Sequence, residues 1–188
     1  IKAPSRNIIN KLGRSVLALY TFDENPDDTS LENVLRQCIE LIARMPVIMT
    51  YAYQVKRRHY DGESMFFHPL DAKHSIAESI LSSIRPDRAF TREEAMVLDR
   101  CLMIHADHGG GNNSTFTTRV LTSSGTDTYS AVSAAIGSLK GPRHGGANIK
   151  VMEMADDMLK NISNIRSDAE VRDYLAKMLK KQAGDRSG

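Results

Sequence analysis

Apolar residues recur at helical spacing along nearly the whole chain, and no useful stretch alternates apolar and polar residues as a half-buried strand does. Three patterns, Thr29-x-x-Glu32, Thr91-x-x-Glu94 and Ser167-x-x-Glu170, have the form of capping boxes that start helices. The chain has no Trp, only 6% aromatic residues and nine Met, which suits helices packed through aliphatic and thioether side chains. The sequence therefore predicts an all-α fold.

The periodicity also predicts where each helix lies. Pro46 is expected to kink or split the second helix, since proline removes a backbone hydrogen bond. Asp71 and Asp127 are the predicted N-caps of the third and sixth helices, and Ser114 or Thr115 that of the fifth. Glycines 109–111 are expected to end the fourth. The predicted ranges are about 5–20, 31–62, 71–84, 91–105, 114–125, 127–140, 148–160 and 167–183.

Charge and cysteine content limit the classes of partner. The 188 residues carry a net charge of +2, and the basic clusters at 56–58 and 177–181 lack interleaved aromatics, which favours solvated helix faces over a nucleic-acid surface. No run approaches the roughly 18 apolar residues of a membrane span. Cys38 and Cys101 lie in apolar helical patterns and are predicted to be buried, unpaired thiols in a reducing compartment. We expect a cytoplasmic protein with neither nucleic acid nor membrane as partner.

The segment HADHGGGNNST at 105–115 places His108 beside three glycines, where no neighbouring side chain blocks a substrate. Near neutral pH an imidazole can donate a hydrogen bond or exchange a proton. A histidine that only caps a helix C-terminus is an equally good interpretation of the local pattern. His105 and His108 together resemble a metal pair, but no further Cys, His or Glu has ligand spacing, so no metal site is predicted.

The segment GPRHGGAN at 141–148 places His144 in a glycine-rich turn just before a helix, after a run of small residues. The positive end of that helix dipole disfavours the imidazolium form, and a neutral imidazole can hydrogen-bond to a developing enolate. A turn histidine without a chemical role remains the alternative. Arg143 could face an anionic ligand or simply be exposed.

Other chemistries lack their patterns. The chain contains no Gly-x-Ser-x-Gly elbow, no P-loop and no Gly-x-Gly-x-x-Gly fingerprint after a strand. Neither cysteine lies in an electropositive turn that would activate a thiolate. Nucleophilic catalysis and nucleotide binding through these motifs are therefore not predicted.

The two histidine segments, in which His108 and His144 are 36 positions apart, resemble the signature of citrate synthases. That signature is H-x-[DE]-H-x-x-x-N-x-S, a helix of small residues, and then G-P-x-H-G-x-A-N. The resemblance implies a multi-helical citrate synthase-like fold that covers the central part of the large domain and the start of the small domain. Residues 1–142 would be the large-domain portion and 143–188 the beginning of the small domain, both incomplete.

The resemblance also implies roles for residues. His108 matches the histidine that binds oxaloacetate, and His144 the one that hydrogen-bonds the thioester carbonyl of acetyl-CoA while its methyl group is deprotonated. Asn112 and Ser114 match positions that would hold the histidines in place. The remaining supporting positions are Arg143, Gly145 and Asn148. The expected partners are oxaloacetate, acetyl-CoA as substrate, and a second copy in a homodimer, with no tightly bound cofactor.

Two features of the resemblance leave alternatives open. A 2-methylcitrate synthase acting on propionyl-CoA would carry the same residues, and a non-catalytic helical dimerisation module could retain them. The family's Gly-x-Gly-His and Asp-Pro-Arg motifs, and the carboxylate that acts as base, have no match in these 188 residues. We therefore expect the chain to be an internal piece that forms no measurable citrate alone.

Overall fold

The computed structural model describes residues 3–184, and over these residues it contains eight α-helices and no β-strand. A 3-10 turn, Tyr20–Phe22, extends the first helix, and a π-helical turn, Arg57–Asp61, extends the second. The all-α prediction is confirmed. The helices are α1 (Ile8–Leu19), α2 (Leu31–Lys56), α3 (Ile76–Ile84), α4 (Arg92–Ala106), α5 (Asn113–Thr122), α6 (Thr128–Leu139), α7 (Ala147–Asn161) and α8 (Asp168–Leu179).

The chain forms two compact units, Ile1–Lys140 and Gly141–Gly188. The first contains α1–α6, and the second contains α7 and α8. This boundary lies two residues before the division predicted after residue 142. That the units correspond to a large and a small domain stays a prediction. None of the helices in residues 3–184 is both long enough and apolar enough to span a membrane.

The core of the first unit lies where α1, α2 and α6 meet, around Val16, Leu41 and Tyr129. The small residues of α6 allow close contact with α1: the Ser133 hydroxyl donates to the Gly13 carbonyl at 2.9 Å. A Cβ on Gly13 would lie 3.5 Å from the backbone oxygen of Ser133, within van der Waals contact. The small-residue run is therefore a helix–helix interface, as predicted.

Two predicted helix starts are confirmed by their hydrogen bonds. At α4, the Glu94 amide donates to Thr91 Oγ1 at 3.1 Å and the Thr91 amide donates to the Glu94 carboxylate at 2.8 Å, a complete capping box. At α6, the Asp127 carboxylate accepts from the Ser130 amide at 2.8 Å. These side chains satisfy amides that the first helical turn leaves without partners.

Three predicted N-caps are wrong. The cap of α2 is Ser30 rather than Thr29, because the Ser30 hydroxyl is the one that accepts from the Asn33 amide. The cap of α3 is Ser75, since Asp71 instead accepts from the Lys73 amide in a separate turn upstream. The cap of α5 is Asn112 rather than Ser114 or Thr115.

The predicted box at α8 forms only in part, and α8 ends at Leu179 rather than near 183. Ser167 Oγ accepts from the Glu170 amide at 3.4 Å, but the Glu170 carboxylate accepts from the Asn164 amide instead of from Ser167. The carboxylate therefore fastens the preceding loop to the helix.

The prediction that Pro46 could split the second helix is wrong, because α2 runs without interruption through a buried Pro46. Leu41, Ala52 and Val55 are buried on either side of it. Loss of a single backbone hydrogen bond at Pro46 costs some free energy. Burial of apolar side chains from both halves of the helix contributes more, and so the continuous helix is stable.

The burial predicted for the cysteines is also wrong for one of them. Cys38 is half-buried, whereas Cys101 is exposed on α4, and both are free thiols. Leu17, one of the apolar residues at helical spacing in α1, is 47% exposed. Helical spacing identifies an apolar face on a helix. Within residues 3–184, neighbouring elements pack against only part of each such face.

Candidate functional site

His108 lies in an exposed loop, 107–112, between α4 and α5. The helix before it ends at Ala106, one residue after the predicted end, because Asp107 has an extended backbone, and the glycines follow in the loop. The Asn112 amide donates to the Gly109 carbonyl at 3.1 Å and closes the loop. A Cβ on Gly109 or Gly111 would meet no other atom within 4 Å, so the loop is open around both glycines.

Asn112 and Ser114 fasten the other end of this loop. Asn112 Oδ1 accepts from the amides of Ser114 at 2.9 Å and Thr115 at 3.1 Å and so caps α5. The Ser114 hydroxyl donates to the Ala135 carbonyl of α6 at 3.0 Å. The structure thus brings His108, Asn112 and Ser114 together in one loop and helix start. That they hold the histidines for catalysis stays a prediction.

Asn113, which was not predicted as a site residue, donates through Nδ2 to Ser138 Oγ at 2.7 Å. This bond ties the first residue of α5 to the last turn of α6. The sequence offered one indication of this bond. Asn113 is a second amide side chain directly after the cap, and the following helix contains several serines that could accept from it. Its motif position is unspecified, so the family pattern did not single it out.

Arg119, which also was not predicted as a site residue, extends from α5 back to the His108 loop. A Cβ on Gly110 would lie 3.6 Å from Arg119 Nη1. The guanidinium therefore packs across the glycine that lies two positions after His108.

His144 lies in a tight turn, 141–146, in the second compact unit. The amides of His144 and Gly146 both donate to the Gly141 carbonyl, at 3.0 and 3.2 Å. A Cβ on Gly146 would lie 2.6 Å from Pro142 Cα, so only glycine fits this position. The imidazole is half-buried and precedes the first residue of α7, Ala147, by three positions.

The other residues predicted around His144 belong to the same turn and helix start. Arg143 is exposed, Gly145 is half-buried, and Asn148 is an exposed residue in the first turn of α7. The Asn148 amide donates to the Gly145 carbonyl at 3.3 Å. The helix start has no side-chain cap, and the Ala147 amide instead donates to the His144 carbonyl at 3.4 Å.

The His105–His108 pair does not have the arrangement of a metal site. His105 Nδ1 lies 2.7 Å from the Cys101 carbonyl, one turn back on α4. Across residues 3–184, no group of three or more His, Cys, Asp or Glu residues is placed to hold a metal ion.

The large pKa shifts belong to contacts that stabilise the fold. The Tyr129 hydroxyl, with Arg36 among further donors, holds the pKa of Asp23 well below its usual range. Burial, together with that hydrogen bond, raises the pKa of Tyr129 to about 12. The Arg85 guanidinium lowers the pKa of Glu94 to about 2. These groups join helices and caps rather than line the histidine loop.

Comparison with known proteins gives one consistent result. The family described as citrate synthase, C-terminal domain, matches residues 1–187. The chain is 34% identical over 151 residues to 2-methylcitrate synthase 1 of Corynebacterium glutamicum, an alignment that covers 78% of this chain and 38% of the relative. It is 38% identical over 146 residues to the citrate synthase of Acidithiobacillus ferridurans, covering 76% of this chain and 36% of the relative.

The chain thus spans less than two fifths of the length of these relatives. The match nevertheless extends over both compact units and includes both histidine segments. The all-α architecture and the extent of the match lead to one conclusion: this chain belongs to the citrate synthase family.

Proposed function

We propose that this chain carries the two histidines that serve a citrate synthase reaction, in which acetyl-CoA condenses with oxaloacetate and water hydrolyses the thioester to give citrate and CoA. The observation that carries the proposal is the folding of the first motif into one open loop. There His108 is exposed among glycines while Asn112 and Ser114 are fixed by hydrogen bonds. Family membership supplies the chemical class.

In this proposal His108 binds oxaloacetate through its imidazole. His144 donates a hydrogen bond to the thioester carbonyl oxygen of acetyl-CoA while a carboxylate base, of the kind that the family uses, takes the proton from the methyl group. Negative charge then develops on that oxygen, and a fixed donor stabilises it more than it stabilises the neutral substrate. The half-buried position of His144 in a turn closed by two backbone hydrogen bonds supports this role, since a held donor needs little reorganisation.

The acyl substrate and the assembly are also proposals. Acetyl-CoA is our first candidate and propionyl-CoA the second, because relatives named 2-methylcitrate synthase are as similar as those named citrate synthase. We further propose that the protein acts as a cytoplasmic homodimer without a tightly bound cofactor. Exposed apolar side chains on α2, such as Ile39 and Ile42, support association with other surfaces.

Chemical modification of histidines tests the oxaloacetate role. Diethyl pyrocarbonate would be applied to the 188-residue chain, and each modified histidine would be quantified by mass spectrometry with and without oxaloacetate. We expect oxaloacetate to protect His108 and to leave His59, an exposed histidine on the π-helical turn, unprotected. Equal reactivity of His108 at about 10 mM oxaloacetate, above the usual range of KM values, would contradict the proposal.

A binding measurement provides an independent test. Isothermal calorimetry with oxaloacetate should show binding to the wild-type chain and a loss of at least tenfold in affinity for His108→Gln, the magnitude of a lost hydrogen bond to a charged group. The matched control is His59→Gln, which should bind as the wild type does. Equal affinity of the two variants would remove His108 from the oxaloacetate site.

A further inference from the structure

The first residue of α5, Asn113, is bonded to α6. Its Nδ2 donates to Ser138 Oγ, in the last turn of α6, at 2.7 Å, the short end of the usual range for such bonds. Ser138 is half-buried, whereas Asn113 is exposed. The two residues are 25 positions apart in sequence, so this bond forms only when α5 packs on α6.

The helix that accepts this bond, α6, is itself fixed in the first unit. It packs against α1 as well as against α5. Tyr129, in its first turn, is buried in the core, and the Ser133 hydroxyl donates to the Gly13 carbonyl of α1 at 2.9 Å. A side chain that bonds to α6 is therefore tied to the core.

His108 depends on its loop for its position. Within residues 3–184, its imidazole forms no hydrogen bond, ion pair or ring contact. Three glycines follow it, and glycine has more backbone freedom than any other residue. The loop ends at Asn112, whose amide donates to the Gly109 carbonyl at 3.1 Å and whose peptide bond leads directly to Asn113. A restraint on Asn113 therefore limits the conformations that this loop can adopt.

We propose that Asn113 is a positioning residue for His108: its bond to Ser138 keeps the loop between α4 and α5 in the conformation that binds the substrate. The inference rests on the proposed function, because the substrate is the one that His108 would bind. It assigns a role to the unspecified motif position between Asn112 and Ser114. Ser114 bonds to a backbone carbonyl, which any residue of α6 would supply, whereas Asn113 requires a hydroxyl at position 138.

The test is calorimetric titration of the 188-residue chain with oxaloacetate. The apparent affinity falls in proportion to the fraction of molecules whose loop is competent to bind. We expect Asn113→Ala and Ser138→Ala each to weaken binding about fivefold, as for loss of one neutral hydrogen bond. The double variant should lose no more than either single variant, because both remove the same bond. Ser138→Thr keeps the hydroxyl and should retain the affinity.

The matched control is Asn33→Ala. Asn33 lies in the first turn of α2, and its Nδ2 donates to the Asp28 carbonyl at 2.7 Å, so this variant also loses a neutral bond that ties a helix start to another segment. Urea denaturation should show that Asn33→Ala loses at least as much stability as Asn113→Ala, while only Asn113→Ala binds oxaloacetate more weakly. An affinity loss below about threefold in Asn113→Ala, or an equal loss in Asn33→Ala, would overturn the positioning role.

A measurement without ligand separates this inference from the proposed function. In Ser138→Ala the altered residue lies on another helix, yet the NMR signal of the His108 ring should shift and the amides of 109–111 should exchange faster with solvent. Asn33→Ala should change neither. Unchanged signals and exchange in Ser138→Ala would overturn the positioning role. Absence of oxaloacetate binding to the wild-type chain, with the changes in Ser138→Ala present, would instead overturn the proposed function.

Discussion

The Tyr129 hydroxyl donates a hydrogen bond of 2.7 Å to the Asp23 carboxylate, across 106 positions of sequence. The same carboxylate accepts from Arg36 at 2.9 Å and from Gln37 Nε2 at 3.0 Å. Asp23 lies in the segment after α1, and its carboxylate connects that segment to α2 and α6. Helices α1, α2 and α6 together form the core of the first unit. The Asp23 side chain is only 3% exposed, so its donors replace water.

Removal of the Tyr129 hydroxyl should lower stability. We expect Tyr129→Phe to reduce the free energy of unfolding by about 1–2 kcal/mol, because a buried carboxylate loses a donor while the ring still fills its place. Urea denaturation followed by circular dichroism measures the change. Tyr20→Phe is the matched control: its hydroxyl also bonds to an aspartate, Asp27 at 2.7 Å, but at the surface. Its effect should be smaller, and equal effects would contradict the importance of burial.

Acid should destabilise the first unit in a defined range. The pKa values of Asp23 and Glu94 are lowered in the folded state, for Glu94 to about 2. Their stabilisation is therefore present above the unfolded pKa, about 4, and is lost as the pH falls toward the folded values. Urea denaturation at pH 7, 4, 3 and 2 should show stability declining mainly below pH 4. Asp23→Asn should make that decline shallower, and an unchanged pH profile would contradict the assignment.

Loss of the Ser114 hydroxyl should affect the histidine loop more than the fold. Ser114→Ala removes the bond to the Ala135 carbonyl, so we expect a stability loss of about 1 kcal/mol and weaker oxaloacetate protection of His108. Ser123→Ala is the control, since the Ser123 hydroxyl bonds to the Val120 carbonyl of its own helix. Unchanged protection in a folded Ser114→Ala variant would show that Ser114 does not position His108.

A side chain at residue 146 should disrupt the His144 turn. The Cβ of Gly146→Ala would meet Pro142 backbone atoms at 2.6–3.1 Å, so the turn must shift. We expect the NMR signal of the His144 ring to move and α7 to lose helix at its start. Gly137→Ala is the control, because a Cβ there meets nothing within 4 Å and alanine favours a helix interior. A His144 signal unaffected by Gly146→Ala would show that the turn tolerates a side chain.

Local signals predicted the helices better than their first residues. The capping box at Thr91 was identified because Thr91 has no second hydroxyl residue beside it, and Glu94 follows at the spacing of a capping box. At Thr29 and Ser30 two hydroxyls adjoin, and sequence does not show which backbone is extended and which side chain faces the first amides. The box at Ser75 and Glu78 was present in the sequence, but Asp71 is an equally good capping residue that comes first, so the start was predicted too far upstream.

Contacts between distant segments had no comparable signal. Motif spacing identified His108 and His144, but the partners of the His108 loop depend on how α5 packs on α6. Ser138 and Arg119 became relevant only when the helices were placed. The Asp23–Tyr129 bond likewise depends on tertiary packing, since neither residue lies in a local pattern that names the other.

The uninterrupted passage of α2 through Pro46 has a consequence for amide exchange with solvent. Proline has no N–H, so the carbonyl of Ile42, four residues earlier, lacks its usual helical donor, and the Ile42 side chain is exposed. One rung of the ladder is therefore absent near the middle of a 26-residue helix. Deuterium uptake should divide α2 into two protection segments that meet at this rung, with separate opening rates on each side.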